Sequence, residues 1–244
     1  MNQKQQTEQG RQLSRREALK LMTIGSLGLA MGGSALTSCA PKGTKTAGSS
    51  SIKMSAPDGT KIVTRKWAGL GDEIGLLGLG CMRFPQLPED KQTRRGELDQ
   101  EKVNELIDYA LEHGVNYFDT APAYGDSERA TGVALSRHER SSYFLATKMS
   151  NGAWGPAATF ERAQTVFKTS LQNLQTNYFD FYLLHGISDK ESFNKRFIDN
   201  GVFEWLKEQK AAGAIRHLGF SYHGSNEFLK ELIGMYDWDF VQIQ

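Results

Sequence analysis

The 244-residue sequence predicts an α/β protein built as a (β/α)8 barrel, with about six of the eight βα units falling within the given residues. Short apolar runs alternate with segments of helical periodicity from residue 61 onward, the pattern of parallel βα units. Four residues of complementary chemistry, Asp119, Tyr124, Lys148 and His185, each lie at or just past the end of a predicted strand. A barrel gathers its site from successive strand ends, whereas an open doubly wound sheet concentrates it at one switch point. The 39% hydrophobic content is enough for one substantial core.

The elements follow in order. Lys61 to Lys66 and the turn Gly69-Leu70-Gly71-Asp72 predict a leading hairpin, and Ile74 to Met82 a first buried strand. Within that strand Gly75-Leu76-Leu77-Gly78-Leu79-Gly80 has GxxGxG rather than GxGxxG spacing, and no helix start follows closely, so close packing explains its glycines better than a dinucleotide fingerprint. Val103, Leu106, Ile107, Ala110 and Leu111 share one helical face that ends at Gly114. Val115 to Phe118 is the next strand, and a helix from Ser127 to about Arg137 turns Ala130, Val133 and Ala134 inward. Tyr143 to Lys148 is a strand, followed by a helix face of Ala163, Val166, Phe167, Leu171 and Leu174. Phe179 to His185 is another strand; Val202, Phe203, Trp205 and Leu206 mark a helix stopped by Gly213, before a strand from Ile215 to Ser221. Phe228, Leu229, Leu232 and Ile233 mark the last helix, and Asp239 to Gln244 begins a sixth barrel strand. Because a barrel typically takes ~250 residues, two further βα units are expected after Gln244.

The formal charge of +1 is unevenly spread. Residues 1–60 hold eight Lys/Arg against three Asp/Glu, while residues 61–244 hold 21 against 25. The barrel portion therefore offers no clustered basic face, which excludes nucleic acid as a partner. Ser14-Arg15-Arg16-Glu17-Ala18-Leu19-Lys20 precedes a weakly apolar, Gly-rich segment, Leu21 to Leu36, and the pair resembles a twin-arginine export signal. Gly25, Gly28, Gly32 and Gly33 make that segment a poor membrane span. Leu36-Thr37-Ser38-Cys39 resembles a bacterial lipobox, in which Cys39 becomes the acylated N-terminus; simple cleavage near Ala35 to Ala40 is the alternative. Three regions result: a signal over 1–38, a flexible tether over 39–60 and the barrel over 61–244. They imply the export machinery and, through the lipid anchor, the membrane as partners, and a cell-envelope or periplasmic location. With Cys39 and Cys81 the only cysteines, neither a disulfide framework nor a cysteine-based metal cluster is expected in these residues.

The four strand-end residues fit carbonyl reduction. A developing alkoxide needs a proton, and a tyrosine of pKa ~10 gives one readily only beside a cation. Lys148 is the candidate cation, Asp119 the group that keeps it charged, and His185 the hydrogen-bonding residue that orients the substrate oxygen toward Tyr124. Taken singly, each has a structural reading: a loop carboxylate, a packed phenol, a solvated amine, a core histidine. Together, Asp119-Thr120-Ala121-x-x-Tyr124-Gly125 with Ser127-Glu128, then Ala146-Thr147-Lys148, then Leu183-Leu184-His185 resemble the aldo-keto reductase family over about residues 60–244.

That resemblance implies a barrel binding NADP(H), or NAD(H), without a Rossmann fold, with Tyr124 as general acid/base, Lys148 and Asp119 tuning it, and a small aldehyde or ketone as substrate. It also implies nicotinamide contacts at Ser221 and Gln242. Tyr222 stands where many relatives place Asn, as in a variant, exported branch with a ferredoxin-like cysteine cluster downstream; no such cluster occurs in residues 1–244. Cys81 and Met82 fall where the first loop lines the cofactor pocket, with a structural thiol the favoured role for Cys81. Phe84 to Asp99, Ser150 to Thr159 with Trp154, and Gly186 to Gly201 with Phe193 and Phe197 are the expected roof. A second reading is a barrel kept as a cofactor-binding accessory protein without turnover, or an inactive fragment.

Overall fold

The computed structural model describes residues 61–67, 73–87, 96–152 and 158–243. The signal, the tether, Cys39, the turn 69–72, Arg94-Arg95 and Trp154 lie outside the described residues. Six parallel strands form one sheet in sequential order: β3 (Leu79–Gly80), β4 (Tyr117–Asp119), β5 (Phe144–Met149), β6 (Phe179–Ile187), β7 (Ile215–Tyr222) and β8 (Phe240–Ile243). A separate antiparallel pair, β1 (Thr64–Lys66) and β2 (Glu73–Gly75), precedes them. Helices α1 (Gln100–Glu112), α2 (Ser127–Leu135), α3 (Phe160–Asn173), α5 (Val202–Ala211) and α6 (Asn226–Met235) fill the connections, the arrangement of an incomplete (β/α)8 barrel.

Local sequence explains the boundaries. Asp99 caps α1 by accepting from the Lys102 N–H at 3.2 Å, and Thr159 and Ser225 cap α3 and α6 in the same way. At the end of α1, Gly114 takes φ +86°, its N–H meets the Leu111 carbonyl, and the Val115 N–H meets the Ala110 carbonyl. That is the paired bonding of a left-handed helix stop, which only glycine adopts without strain.

Two layers of core flank the sheet. The larger, between sheet and helices, holds Phe118, Leu145, Tyr182, Leu184 and Phe220 from the strands, with Val103, Ile107, Phe167 and Leu206 from the helices. The smaller lies on the opposite face and holds Phe144, Ala146, Phe181 and Leu183, with Trp67, Ile74, Tyr117 and Phe240 packed on them. Trp67, just past β1, sits 5.6 Å from the Phe181 ring and 5.1 Å from His217, so the hairpin closes the inner face at the end away from the strand tips. The hairpin is fixed there by Asn116, whose carboxamide accepts from Gly75 N–H and donates to the Glu73 carbonyl.

Three expectations change. The single strand expected from Ile74 to Met82 is divided: 73–75 pairs with β1, Leu76 and Leu77 are exposed, only Leu79–Gly80 joins the sheet, and Cys81–Arg83 is a 3₁₀ turn. Asn116 pulls Gly75 out of line, and Gly78 presses on the Tyr117 ring, where a Cβ would come within 2.8 Å. The loop 186–201 carries helix α4 (Lys190–Phe193) and a π-helical turn, Asn194–Ile198, which bury Phe193 and Phe197 in the helix-side core. Neither phenylalanine roofs a pocket. Ile233, read as inward, is 48% exposed.

Gly132 sits where α2 crosses the end of α3, and a Cβ there would lie 2.1 Å from the Asn173 carbonyl oxygen and 2.7 Å from the Leu174 Cα. Glycine to alanine in an open helix usually stabilises by roughly 0.5–1 kcal/mol. Here the neighbours are backbone, so Gly132→Ala is expected to destabilise by about 1–3 kcal/mol, read as a lower thermal midpoint. A raised midpoint would show that the two helices part without cost.

Candidate active site

Strand geometry decides which side chains can meet. Side chains alternate across a strand, and registered parallel neighbours share a face. Asp119 is in register with Ala146, which is in register with Phe181. Lys148 is in register with Leu183, Leu183 with Gly219 and Gly219 with Phe240. Both rows carry members of the inner core, so Asp119 and Lys148 project to that side. His185 lies two residues beyond Leu183, and Ser221 and Gln242 are in register one step toward the strand tips. The C-terminal ends of five adjacent strands thus present a carboxylate, an amine, an imidazole, a hydroxyl and a carboxamide toward one space.

Lys148 is 1% exposed and donates to Asp119 Oδ1 at 2.5 Å and to the Thr120 carbonyl at 2.8 Å. Its ammonium also lies 4.8 Å from the centroid of the Tyr124 ring. Burial pushes the Asp119 carboxyl up and the Lys148 amine down, each opposed by the other's charge. Gln242 also favours the Asp119 carboxylate, and among the described residues the buried Oδ2 has no hydrogen bond. Removing one partner of such a buried pair typically costs about 3–5 kcal/mol.

Tyr124 is half-buried on the 3₁₀ turn Pro122–Tyr124, and its ring meets His185 edge to face at 5.6 Å. Burial, and then the Asp119 charge, push its phenol up to about 12. The net direction is upward, opposite to the expected lowering, because burial and the Asp119 charge dominate in this arrangement. His185 is held to about 3 by burial, reinforced by the charges of Lys148 and Arg196 and by His223, so its imidazole is neutral.

The turn bearing Tyr124 is anchored from behind. Gly125 follows at φ +67°, and Ser127 at the start of α2 donates to the Cys81 carbonyl and shares a 2.8 Å bond with Thr120. Glu128, buried, accepts from Thr147 Oγ1 at 2.6 Å and ties α2 to the outer side of β5. The motif's Ser127-Glu128 pair is thus scaffold.

The other predicted residues divide. Ser221 Oγ accepts from the Gly186 N–H at 2.8 Å, which leaves its own hydrogen to donate. Met82 is 55% exposed and, with Phe84, Leu98, Tyr124 and Arg83, lines a cavity of about 480 Å³. Cys81 is fully buried with its thiol pushed up to about 12, chiefly by burial, which fits a structural thiol. Tyr222 is the correction. It faces the helices, where its hydroxyl donates to the Ser225 carbonyl and its ring packs near Phe220 and Phe228, because its parity is opposite to that of Ser221. Sequence reading missed Ser150, whose hydroxyl lies 2.7 Å from His185 Nδ1, and Arg196, which binds the His185 carbonyl at 2.5 Å. Ser150 follows Lys148 at the same parity and was findable; Arg196 sits in a helical turn that no apolar periodicity announced.

A model of the aldo/keto reductase family matches residues 76–244. The chain belongs to the aldo/keto reductase family. It is 31% identical over 159 residues to the Bacillus subtilis (strain 168) protein described as uncharacterized oxidoreductase YqkF, covering 61% of this chain and 45% of that one. It is 32% identical over 162 residues to the aldo-keto reductase YhdN of the same organism, covering 63% and 45%. The fold resembles a holo-form aldo-keto reductase from Bacillus halodurans, with a TM-score of 0.56, 27% identity and coverage of 75% of this chain and 57% of that one. It also resembles a Klebsiella pneumoniae aldo/keto reductase in complex with NADP and acetate, with a TM-score of 0.50, 26% identity and coverage of 67% and 51%. The chain spans about half the length of the curated relatives it matches.

The His185 environment sets a pH dependence. Its folded-state value of about 3 lies below the ordinary 6.5, so the unfolded chain binds more protons between those values. The stability His185 contributes is complete above about pH 6.5 and is lost as pH falls toward about 3. His185→Gln is therefore expected to lose less of its melting temperature than the wild type on acidification from about pH 7 to about pH 4. An equal or larger loss would contradict a buried, neutral imidazole.

Proposed function

We propose that this chain carries the catalytic centre of an oxidoreductase that reduces an aldehyde or ketone, with Tyr124 as proton donor and a nicotinamide, NADP or NAD, as cofactor. The observation that carries this reading is the convergence of Lys148, Asp119, Tyr124 and His185 at adjacent strand tips, the first two joined at 2.5 Å. When bound, the nicotinamide would supply the hydride. The residues present suit such a group: Ser221 has a hydroxyl hydrogen to donate and Gln242 offers a carboxamide in register beside it, a donor and acceptor set for an amide. The NADP bound to the Klebsiella relative supports the same class of cofactor.

The remaining demands fall on the side chains. A carbonyl oxygen gaining charge needs a donor that is still protonated at neutral pH, and the raised Tyr124 phenol meets that condition. His185, neutral and close to Tyr124, is suited to hydrogen-bond the same oxygen without competing as an acid. Once the phenol has given up its proton, the Lys148 charge near the ring favours the phenolate, and Asp119 holds the amine in place. Met82, Phe84 and Leu98 in the adjoining cavity suit a carbonyl compound with an apolar portion.

Tyr124→Phe is expected to lower kcat for carbonyl reduction by at least ~100-fold, with dissociation constants for NADPH and NADH nearly unchanged. Near-normal turnover in that variant would end the assignment.

We further propose that the chain is exported by the twin-arginine route and anchored through an acylated Cys39, supported by Arg15-Arg16, the Gly-rich segment and the lipobox-like Leu36-Thr37-Ser38-Cys39. Cys39→Ser should move the protein from the membrane to the soluble fraction, and Arg15→Lys with Arg16→Lys should retain it in the cytoplasm. An unchanged fractionation of the Cys39 variant would rule out the anchor.

A further inference from the structure

His185 is held at two places. Its carbonyl accepts from Arg196 Nη2 at 2.5 Å, and its ring Nδ1 lies 2.7 Å from Ser150 Oγ. Arg196 is buried, and its guanidinium also donates to the carbonyls of Asn151 and Gly186, so one cation clips the tips of β5 and β6 together. The imidazole therefore has a fixed backbone beneath it and a defined partner at one ring nitrogen.

A neutral imidazole has one N–H and one lone pair, and the partner of one nitrogen decides the role of the other. The Ser150 hydroxyl has one hydrogen to place, and among the described residues His185 Nδ1 is the one hydrogen-bond partner its oxygen has. If Nδ1 bore the proton, the part-buried Ser150 hydrogen would lack an acceptor among those residues. Donation from Ser150 to Nδ1 satisfies both atoms. Among the described residues, the groups facing His185 include Lys148 from β5, Arg196 from the π-helical turn, His223 beyond β7 and Tyr124 from the turn after β4. The first three disfavour a doubly protonated ring, as does burial.

We propose that Ser150 is a positioning residue, which by donating to Nδ1 holds His185 as the neutral tautomer with its hydrogen on Nε2, the form that can donate to a substrate carbonyl oxygen. Arg196 serves the same end by fixing the strand tip beneath the ring. The proposal rests on the reductase reading for its purpose, but the tautomer itself does not depend on turnover.

The test is a nitrogen–proton correlation spectrum of the full chain with labelled histidine, the His185 signals being identified by their loss in His185→Gln. The wild type should show an unprotonated Nδ1 and a protonated Nε2; Ser150→Ala should show a tautomer mixture, and Ser150→Thr should restore the wild-type pattern. In kinetics, Ser150→Ala should lower kcat by about tenfold, the scale of one lost hydrogen bond, while Ser150→Thr stays close to wild type. A protonated Nδ1 in the wild type would overturn the proposal even if Ser150→Ala failed to fold, and so would an unchanged tautomer in Ser150→Ala. A chain that reduces no carbonyl compound yet shows the expected spectrum would defeat the reductase reading and leave the tautomer assignment standing.

Discussion

The site depends on the burial of one ammonium group. Lys148 sits at 1% exposure on the inner side of β5, and an unpaired charge there would be too costly to keep. Asp119 and the Thr120 carbonyl satisfy it, and both come from the tip of the neighbouring strand. That need ties β4 and β5 into one register, sets where the chain leaves β4, and so places the turn that carries Tyr124. Thr120 and Ser127 then hold that turn against the first strand's tip, with Ser127 bonded to the Cys81 carbonyl. The phenol is thus a consequence of the ion pair's position rather than an independent addition.

A second constraint is the alternation of side chains along the strands. Phe181, Leu183 and His185 lie on one side of β6, and Tyr182 and Leu184 on the other; Gly219 and Ser221 face with the former, Phe220 and Tyr222 with the latter. The apolar members of the inner set form the plug that Trp67 completes, and, apart from His217 beside Trp67, the polar members among the described residues lie toward the C-terminal tips. The end opposite the site is held by different means. Asp180, fully buried, binds Arg140, Arg216 and the Leu145 N–H, with the Tyr178 ring about as close to both guanidinium groups. Stability and chemistry are thus placed at opposite ends of the strands, the usual division in this architecture.

This division explains what the sequence made legible. Five helices, five of the six barrel strands and the four side chains that converge at the strand tips could be read because periodicity and strand ends are local signals. The first strand could not, since the apolar run from Ile74 to Met82 hides the pull of Asn116, 41 residues away from Gly75. Tyr222 was placed among the cofactor residues by motif position, although its odd offset from Ser221 turns it to the helices. Phe193 and Phe197 looked like loop aromatics because a single helical turn followed by a π turn leaves no repeating pattern. Ser150 and Arg196 act on His185 through contacts that only the folded strand tips create.

The central claim is that the buried Lys148–Asp119 pair works through the Tyr124 phenol. A double-mutant cycle on kcat for carbonyl reduction, with Lys148→Met and Tyr124→Phe, tests it most directly. If the amine acts by supporting the phenolate, the double variant should be little slower than the slower single variant, since removing the phenol removes what the amine serves. Fully multiplicative losses, with both single variants folded by near-ultraviolet dichroism, would show that Lys148 and Tyr124 act independently and would contradict the account.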